Sequence, residues 1–434
     1  MSSIPGPSLP AAVQMYRWIR DPHGFLSECR EQYGDTFHLR MAGFGDSIFS
    51  ADPAFAHAVF TADPDTLRAG EGNDVLLPFV GKHSLLTMDG PPHRRDRKLM
   101  TPPFHGARMR AYGEIVGEAA RRALAAWPTN GEVQSHPAMQ HTSLEVILRA
   151  VFGVQQGEEL HAASHSITAV LESVTGPMMF VPLLRANLGP YSPGGRYKAR
   201  KIAADAMMAG AIRQRRESPG EDILSLLLAA RDEGGNALTD AELHDELTTL
   251  LLAGHETTAT ALAWCLTWLA ATPTALASAN EEVRASGADP EVVAKLPYLE
   301  AVCHEALRVV PVFPIVMRVA SRDWDGPVPV PSGWRVAPCI YLVHQRPDLY
   351  PDPHLFRPER FLERTYSAAE YFPFGGGARR CIGQAFALYE MKIVLATVLR
   401  SFDLMAGQAP PVAMRRNIAM APKGGAQVHV RRLG

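Results

Sequence analysis

The segment Phe374-Gly-Gly-Gly-Ala-Arg-Arg-Cys-Ile-Gly383 carries the strongest indication of fold and chemistry in this 434-residue chain. Its consecutive glycines allow the backbone to approach a large, flat partner closely. Cys381 stands just before a predicted helix, whose amino end favours a thiolate, as do the neighbouring Arg379 and Arg380. The segment therefore predicts a thiolate that binds a metal or a cofactor. The alternatives are a buried structural cysteine and a phosphate-binding loop, although the Lys-Ser/Thr pair of such a loop is missing.

The chain upstream of this segment contains a long predicted helix at about 240–271. Thr239 and Glu242 form a capping box at its start, and Pro273 marks its end. At ~1.5 Å per residue the helix is roughly 45 Å long, enough to cross the body of the protein. Its apolar residues over 247–263 lie on most sides, which is typical of a central buried helix.

The middle of this helix, Ala253-Gly-His-Glu-Thr-Thr258, is unusual for a buried segment. Gly254 costs ~1 kcal/mol relative to alanine in a helix, and a threonine such as Thr257 can bond back to a carbonyl and bend the helix. One interpretation is a local kink with a satisfied Glu256 carboxylate. The other is a groove for a small ligand beside an acid and an alcohol.

Two further short patterns contain paired charges. Glu305 and Arg308 lie three residues apart on one predicted helical face, and their apolar neighbours indicate burial. A buried pair needs more partners, and Arg360 in Pro358-Glu-Arg-Phe361 is the candidate. Within the basic stretch 90–98, a histidine and an arginine lie four residues apart. That stretch is either a solvated basic face or a binding site for a cofactor carboxylate.

The organisation of the whole chain indicates one domain. Length alone would allow about three, but no linker, repeat or charge block divides the sequence. Helical patterns occupy about 105–310, a hairpin is predicted at 36–50, and short β-type runs at about 315–320, 328–337 and 416–430 follow. We therefore predict a single, mainly α domain with a minor β part over residues 1–434, with no fused reductase.

Composition excludes several classes of protein. The formal net charge is −2, from 43 Lys and Arg against 45 Asp and Glu, which does not indicate a nucleic-acid-binding protein. Five cysteines without C-x-x-C spacing are typical of a reducing compartment. We find neither a signal peptide nor a run of ~20 apolar residues, so the sequence predicts a cytoplasmic protein without a membrane anchor.

Taken together and in this order, these segments resemble the cytochrome P450 family of haem-thiolate enzymes. The resemblance extends from Tyr33-Gly-Asp-Thr-Phe37 to the segment around Cys381. The matching motifs are Ala253-Gly-x-Glu-Thr257, Glu305-x-x-Arg308, Pro358-Glu-Arg-Phe361 and Phe374-Gly-x-Gly-x-Arg-x-Cys-x-Gly383. It implies a cytochrome P450-like helical domain with small β-sheets, and haem b as the cofactor.

The resemblance also implies a role for each motif residue. Cys381 would be the axial thiolate ligand of the haem iron, and Glu305, Arg308 and Arg360 would form a structural triad beneath the haem. The other implied site residues are the propionate contacts His93, Arg97, Arg318 and Arg379, the cysteine-loop residues Phe374 and Gly383, Ala253 and Gly254 beside dioxygen, and Glu256 and Thr257, which would help to deliver its protons. Many members carry histidine where Arg379 stands, so this contact would come from a guanidinium.

The implied reaction is the insertion of one oxygen atom from O2 into a lipophilic small molecule, by hydroxylation or epoxidation. Electrons would come from a separate ferredoxin or flavodoxin-type protein. The predicted pocket loops are apolar and rich in Met and Phe, which leaves fatty acids, terpenoids, steroids and macrolides open; the loops lie near 71–87, 170–185, 310–317 and 417–421. A basic patch is predicted near Cys381 for an acidic electron donor, made by Arg94, Arg95, Lys98 and Arg380.

Three other functions remain open at this stage. Cys381 with a histidine is the minimum for a cysteine hydrolase, but no nucleophile motif supports one, and a red protein would exclude it. A haem sensor or carrier has no need of the Glu256 and Thr257 pair. Members of the family that are fed by peroxide or that isomerise their substrates tend to lack this pair as well.

Overall fold

The structure is a computed structural model that describes residues 4–106, 108–154, 156–407 and 409–434. The α-helices in chain order are α1 Ala11–Arg20, α2 Pro22–Tyr33, α3 Pro53–Thr61, α4 Ala69–Gly72, α5 Leu77–Val80, α6 Gly90–Met100, α7 Arg108–Ala125, α8 Ser135–Phe152, α9 Glu158–Ser173, α10 Gly176–Phe180, α11 Pro193–Glu217, α12 Ile223–Ala229, α13 Asp240–Ala271, α14 Pro273–Ala285, α15 Pro290–Val293, α16 Pro297–Val309, α17 Ile340–His344, α18 Arg360–Glu363 and α19 Gln384–Ser401. The strands are β1 Thr36–Met41, β2 Gly45–Ser50, β3 Leu67–Arg68, β4 Asn130–Gln134, β5 Arg318–Ala320, β6 Trp324–Asp325, β7 Pro329–Val330, β8 Arg335–Pro338, β9 Phe402–Leu404, β10 Ala413–Arg416, β11 Ala419–Pro422 and β12 Gln427–Arg432.

The long helix α13 forms the centre of the helical part, as the sequence predicts. It packs along α8 and also contacts α16 and α19. Its capping box is present, because the Thr239 hydroxyl accepts from the Glu242 amide while the Glu242 carboxylate accepts from the Thr239 amide. Leu247, Leu262 and Trp264 are fully buried. This helix therefore sets the position of every element that packs against it.

We also compared the helices with the length and hydropathy needed to span a bilayer. No single helix of the described residues meets both requirements. The consecutive helices α13 and α14 meet them only when they are taken together, and their axes bend by 112° at the junction.

The largest sheet joins the amino-terminal part of the chain to residues 318–338. Its strand order is β1-β2-β8-β5-β3. The predicted hairpin at 36–50 is confirmed as the antiparallel pair β1 and β2. Beyond it, β2 pairs in parallel with β8, with Ser47 opposite Arg335. Arg318 is the first residue of β5, so its backbone is held in this sheet.

The carboxyl-terminal β region is divided more finely than the sequence indicates. The predicted run at 416–430 is three strands, because Asn417 and Ala426 adopt positive φ angles of 56° and 55° and turn the chain. Strands β10 and β11 form a hairpin, whereas β12 lies between β4 and β9. The predicted fold class, mainly helical with small sheets, is confirmed.

Candidate active site

The cysteine loop is a compact turn that leads directly into α19. The Cys381 amide donates to the Phe374 carbonyl at 3.0 Å, and Gly383 is the residue before the helix. A Cβ at Gly376 would lie 2.4 Å from the Phe60 ring, and one at Gly377 would lie 2.2 Å from the Phe60 carbonyl oxygen. These two glycines therefore make room for helix α3, a reason that the sequence did not reveal.

Cys381 lies at the wall of an internal space. Its side chain is exposed, yet burial raises the pKa of its thiol, and we infer from the two facts together that the sulfur borders a space enclosed by the surrounding elements. The Gly383 amide and the charges of Arg97 and Arg380 act in the opposite direction and lower the pKa. A metal ion bound to such a sulfur would deprotonate it outright.

Four of the predicted propionate contacts are brought together near this space. His93 is 3% exposed, and its pKa is lowered to about 3, first by burial and then by the charges of Arg379, Arg97 and Arg318. Burial also lowers the pKa of Arg318 to about 10. The four side chains, which come from α6, β5 and the cysteine loop, therefore form one cluster in which the three arginines are charged and His93 is neutral.

The arginines of this cluster differ in their partners. Arg379 forms an ion pair with Asp89 at 2.5 Å and donates to the Leu85 and Met88 carbonyls. Arg97 donates to the Arg380 carbonyl at 2.6 Å, and Arg318 donates to the Met317 carbonyl at 2.8 Å.

No carboxylate of the described residues forms an ion pair with Arg97 or Arg318. Deeply placed guanidinium groups without a counter-ion attract an anion. Together with the Cys381 thiol, they fit a flat, iron-containing cofactor with carboxylate arms. The residues present are therefore compatible with a haem.

Glu305, Arg308 and Arg360 form a fully buried charge network. The Arg308 guanidinium donates to both oxygens of Glu305, at 2.7 and 2.8 Å, and Arg360 donates to Oε1 at 2.9 Å. The amide of Arg357 donates to the same oxygen at 2.9 Å. Arg308 also binds the His344 carbonyl at 2.8 Å. Every side chain of the network thus has several partners, as a buried charge requires.

The motif in the middle of α13 has one side that packs and one side that is open. A Cβ at Gly254 would lie 2.6 Å from Cδ1 of Ile147, so the glycine allows close packing with α8. Ala253 is exposed although the helix around it is buried, so it faces an internal space. The Thr257 hydroxyl donates to the Ala253 carbonyl at 2.5 Å. The Thr257 hydroxyl therefore bonds back to the helix, as one interpretation of the sequence predicts, and any groove for a small ligand would lie on the exposed side of Ala253.

Glu256 is held by side chains that the sequence did not predict. Gln140 donates to its Oε2 at 2.6 Å, and Oε1 lies 3.4 Å from Nε2 of His136 and 3.5 Å from Nε of Arg416. Burial raises the pKa of this carboxyl, but His136 and Arg416 outweigh burial and leave the pKa lowered. These partners belong to α8 and β10, far away in the chain, and no local motif marks them.

The predicted basic patch is largely neutralised. Arg94 pairs with Asp65 at 3.2 Å, Arg95 pairs with Asp232 at 2.8 Å and Glu242 at 3.0 Å, and Lys98 pairs with Glu233 at 2.5 Å. The Arg380 side chain donates to the amide oxygen of Gln384. Three of the four predicted members therefore form ion pairs with acidic side chains that are distant in the chain, which reduces the net positive charge of the patch, although Lys98 keeps 71% of its side-chain surface.

Comparison with known proteins decides the family. Residues 4–430 match the sequence profile described as Cytochrome P450. The chain is 38% identical to cytochrome P450 135B1 of Mycobacterium tuberculosis, over 99% of this chain and 92% of that protein. It is 35% identical to cytochrome P450 135A1 of the same species, over 99% and 96%. The chain belongs to the cytochrome P450 family. It is accordingly a haem-thiolate monooxygenase that uses O2 and a redox partner.

Solved P450 structures share the whole fold. A cyanobacterial relative, CYP120A1 with retinoic acid bound, superposes with a TM-score of 0.84 at 27% identity, covering 99% of this chain and 100% of that one. The haem domain of cytochrome P450DA superposes with a TM-score of 0.88 over 100% of this chain and 98% of that one. At 24% identity, the second likeness concerns the fold alone.

Proposed function

We propose that this P450 hydroxylates or epoxidises a lipophilic small molecule in the cytoplasm. It would use haem b held by Cys381, and electrons from a separate ferredoxin or flavodoxin-type protein. The observation that carries the proposal is the position of the Cys381 sulfur, at the wall of an internal space, next to guanidinium groups without counter-ions.

We assign the binding of haem to residues on both sides of this space. Cys381 would hold the iron, and His93, Arg97 and Arg318 would hold the propionates. Arg379 would contribute positive charge, although its own ion pair is with Asp89. When bound, the haem activates dioxygen so that one oxygen atom is inserted into the substrate.

We assign the handling of protons to Glu256 and Thr257. The Thr257 hydroxyl already donates its proton to the Ala253 carbonyl, so its oxygen is left to accept from a donor in the cavity. Oε1 of Glu256 accepts no hydrogen bond from the described residues and is the atom we assign to take up and release a proton. Together they would hold one donor, such as a water molecule, beside Ala253.

Lipophilic surfaces near α13 support the proposed substrate class. Leu76, Phe79, Met178 and Met179 form a buried apolar cluster with Leu252 packed against it. These residues lie in two of the loops predicted to line the pocket, and Leu252 precedes Ala253. A relative of the same fold holds retinoic acid, which is also lipophilic. The five cysteines are unpaired, as is usual in a reducing compartment.

The test of this function is the spectrum of the reduced, carbon monoxide-treated protein. We expect the red-shifted Soret band of a thiolate-ligated haem, and we expect Cys381→His to abolish it. Cys29→Ala is the matched control, because Cys29 is a free cysteine in a different cluster, and it should keep the band. A Cys381→His protein that retained the shifted band would contradict the assignment.

A further inference from the structure

Two adjacent arginines on β10 have opposite surroundings. Arg416 has its Nε 3.5 Å from the Glu256 carboxylate. Arg415 points the other way, as neighbouring residues of a strand do, and its guanidinium carbon lies 4.7 Å from the Trp18 ring centroid and 5.6 Å from that of Phe180. One arginine is therefore paired with a carboxylate, and the other is enclosed by aromatic rings.

The polar atoms of Arg415 are only partly satisfied. Its Nη2 donates to the Trp18 carbonyl at 3.0 Å, but its Nε is buried and has no hydrogen-bond partner. No Asp or Glu in the described ranges forms an ion pair with this arginine. Burial lowers its pKa to about 10, which still leaves it charged near neutral pH. A half-buried cation without a counter-ion favours a ligand that supplies one.

A second unpartnered nitrogen belongs to the same region. Nε2 of His23, in α2, is buried and has no partner. Burial, with the charge of Arg415 as a second cause, lowers the pKa of His23 to about 3, so the imidazole is neutral. Its ring stacks on Tyr341, with 3.7 Å between centroids. A neutral imidazole can donate one hydrogen bond, and the two nitrogens together suit a single negative charge rather than a doubly charged phosphate.

Two apolar clusters that share Phe180 lie between Arg415 and α13. Trp18 belongs to a buried cluster against which Phe180 and Ile315 pack, and Met317, next to Arg318, is part of it. Phe180 also packs against the other apolar cluster, the one that Leu252 of α13 contacts. Arg415 thus lies beside one apolar cluster, and Phe180 joins that cluster to the one that Leu252, the neighbour of Ala253, contacts.

We infer that Arg415 binds the carboxylate of a lipophilic carboxylic acid substrate, whose apolar part extends past Phe180 toward Ala253. The guanidinium fork matches a carboxylate in shape and charge, and His23 provides a second contact for it. This inference rests on the proposed monooxygenase function and makes it specific, because it separates acids from neutral lipids of the same size.

The experiment compares acids with their methyl esters on the holoenzyme. Dodecanoic, hexadecanoic and retinoic acid, each beside its methyl ester, are titrated into the oxidised protein, and dissociation constants are read from the Soret shift. We expect the acids to bind roughly 10- to 100-fold more tightly than the esters, the usual size of a charge-assisted hydrogen bond. Arg415→Gln should remove this preference, and Arg415→Lys should keep part of it.

A matched control is available at the carboxyl end of the chain. Arg432 also lies over an aromatic ring, with 4.5 Å to the centroid of Phe402, and donates to two backbone carbonyls. Arg432→Gln should therefore keep the preference of the wild-type protein for acids. If Arg415→Gln yields no haem protein, the inference is tested with the wild-type and Arg415→Lys proteins. The wild-type protein should then bind acids more tightly than esters, and Arg415→Lys should show a smaller preference.

The inference is overturned if the acids bind no more tightly than the esters, if no acid shifts the Soret band, or if Arg415→Gln keeps the full preference. The carbon monoxide spectrum separates this failure from that of the proposed function. A normal thiolate band without a preference for acids rejects only the carboxylate site, whereas a missing band rejects the haem-thiolate assignment itself.

Discussion

Glu305 and Glu256 are both carboxylates inside the protein, but the molecule holds them in different ways. Glu305 is 0% exposed and accepts four hydrogen bonds of 2.7–2.9 Å. Glu256 keeps 20% of its side-chain surface, accepts one short bond from Gln140, and has its two cationic neighbours at 3.4 and 3.5 Å. The first glutamate is saturated with donors, and the second has an oxygen without one.

The different hydrogen bonding of Glu305 and Glu256 indicates a different role for each. A carboxylate with four short hydrogen bonds cannot lose or turn away from any partner without leaving a buried charge uncompensated, so it fixes structure. A carboxylate with one committed oxygen and one loosely paired oxygen keeps an atom that can accept a hydrogen bond from a further donor. We therefore expect the network of Glu305 to support folding, and we propose that the region of Glu256 and Thr257 supports turnover.

The largest loss of stability is expected from breaking the buried network of Glu305, Arg308 and Arg360. Arg308→Ala removes two hydrogen bonds from Glu305 and should cost ~3–5 kcal/mol, because the carboxylate stays buried without its main partner. We expect little or no soluble, haem-loaded protein, measured as the ratio of Soret to protein absorbance after purification.

Arg357→Ala is the control for this change. The Arg357 amide, which donates to Glu305, remains in the variant, and the side chain is lost only from a surface pair with Glu363. Such surface pairs contribute ~0–1 kcal/mol. An Arg308→Ala protein with normal haem content and stability would remove the distinction between the two regions.

An intermediate effect is expected at Thr257. Thr257→Ala removes the oxygen that we assign to hold a donor in the cavity, together with a hydrogen bond to the Ala253 carbonyl. Misplaced proton delivery costs about 10- to 100-fold in product formed, less than the loss of a whole general acid. The variant should keep haem and substrate binding while reducing equivalents appear as hydrogen peroxide. The measurement is product formed per electron pair on one accepted substrate.

Thr257→Ser is the control, because it keeps the hydroxyl and should stay close to the wild-type ratio. If the alanine variant also stays fully coupled, the hydroxyl serves only to bond back to Ala253 and bend the helix. In that case Thr257 would have no role in turnover, and Glu256 would be the remaining candidate for handling protons.

The smallest effect is expected from the looser ion pair. The pKa of Glu256 is lowered in the folded protein, so its charge stabilises the fold above the unfolded pKa of about 4.5 and this contribution is lost as the pH falls through the folded value. Arg416→Gln should reduce the free energy of unfolding by about 1 kcal/mol or less at pH 7.

The difference between variant and wild type should shrink toward zero below pH 4.5, the ordinary value for glutamate. Denaturant unfolding of the wild-type and Arg416→Gln proteins across this pH range checks it. A loss several times larger, or one that does not depend on pH, would mean that Glu256 is held as firmly as Glu305.

The sequence predicts well those features that depend on local spacing. The capping box of Thr239 and Glu242, the hairpin at 36–50 and the approach of Glu305 to Arg308 all follow from residues that are close in the chain. The contact of Arg360 with Glu305 could also be predicted. A buried ion pair needs further hydrogen-bonding partners, and Arg360 stands in a short charged motif of the sequence.

Features that depend on distant segments could not be predicted in the same way. The contacts of Glu256 with His136 and Arg416 join residues more than a hundred positions apart. The ion pairs of Arg379 with Asp89 and of Lys98 with Glu233 also join distant parts of the chain. The spacing of residues along the chain indicates which side chains share one helix or strand. It does not indicate which helices and strands pack together, and the ion pairs named above depend on that packing.

The parallel pairing of β2 with β8 also constrains how the chain is made. At ~5–20 residues per second, roughly 15–60 s pass on the ribosome between the synthesis of Ser50 and that of Pro338. Throughout that interval the hairpin at 36–50 has an open edge, a common starting point for aggregation. A chaperone is therefore needed more by the nascent chain, whose strand edge is open, than by the folded enzyme. Slower expression at lower temperature would lengthen the time during which this edge can aggregate.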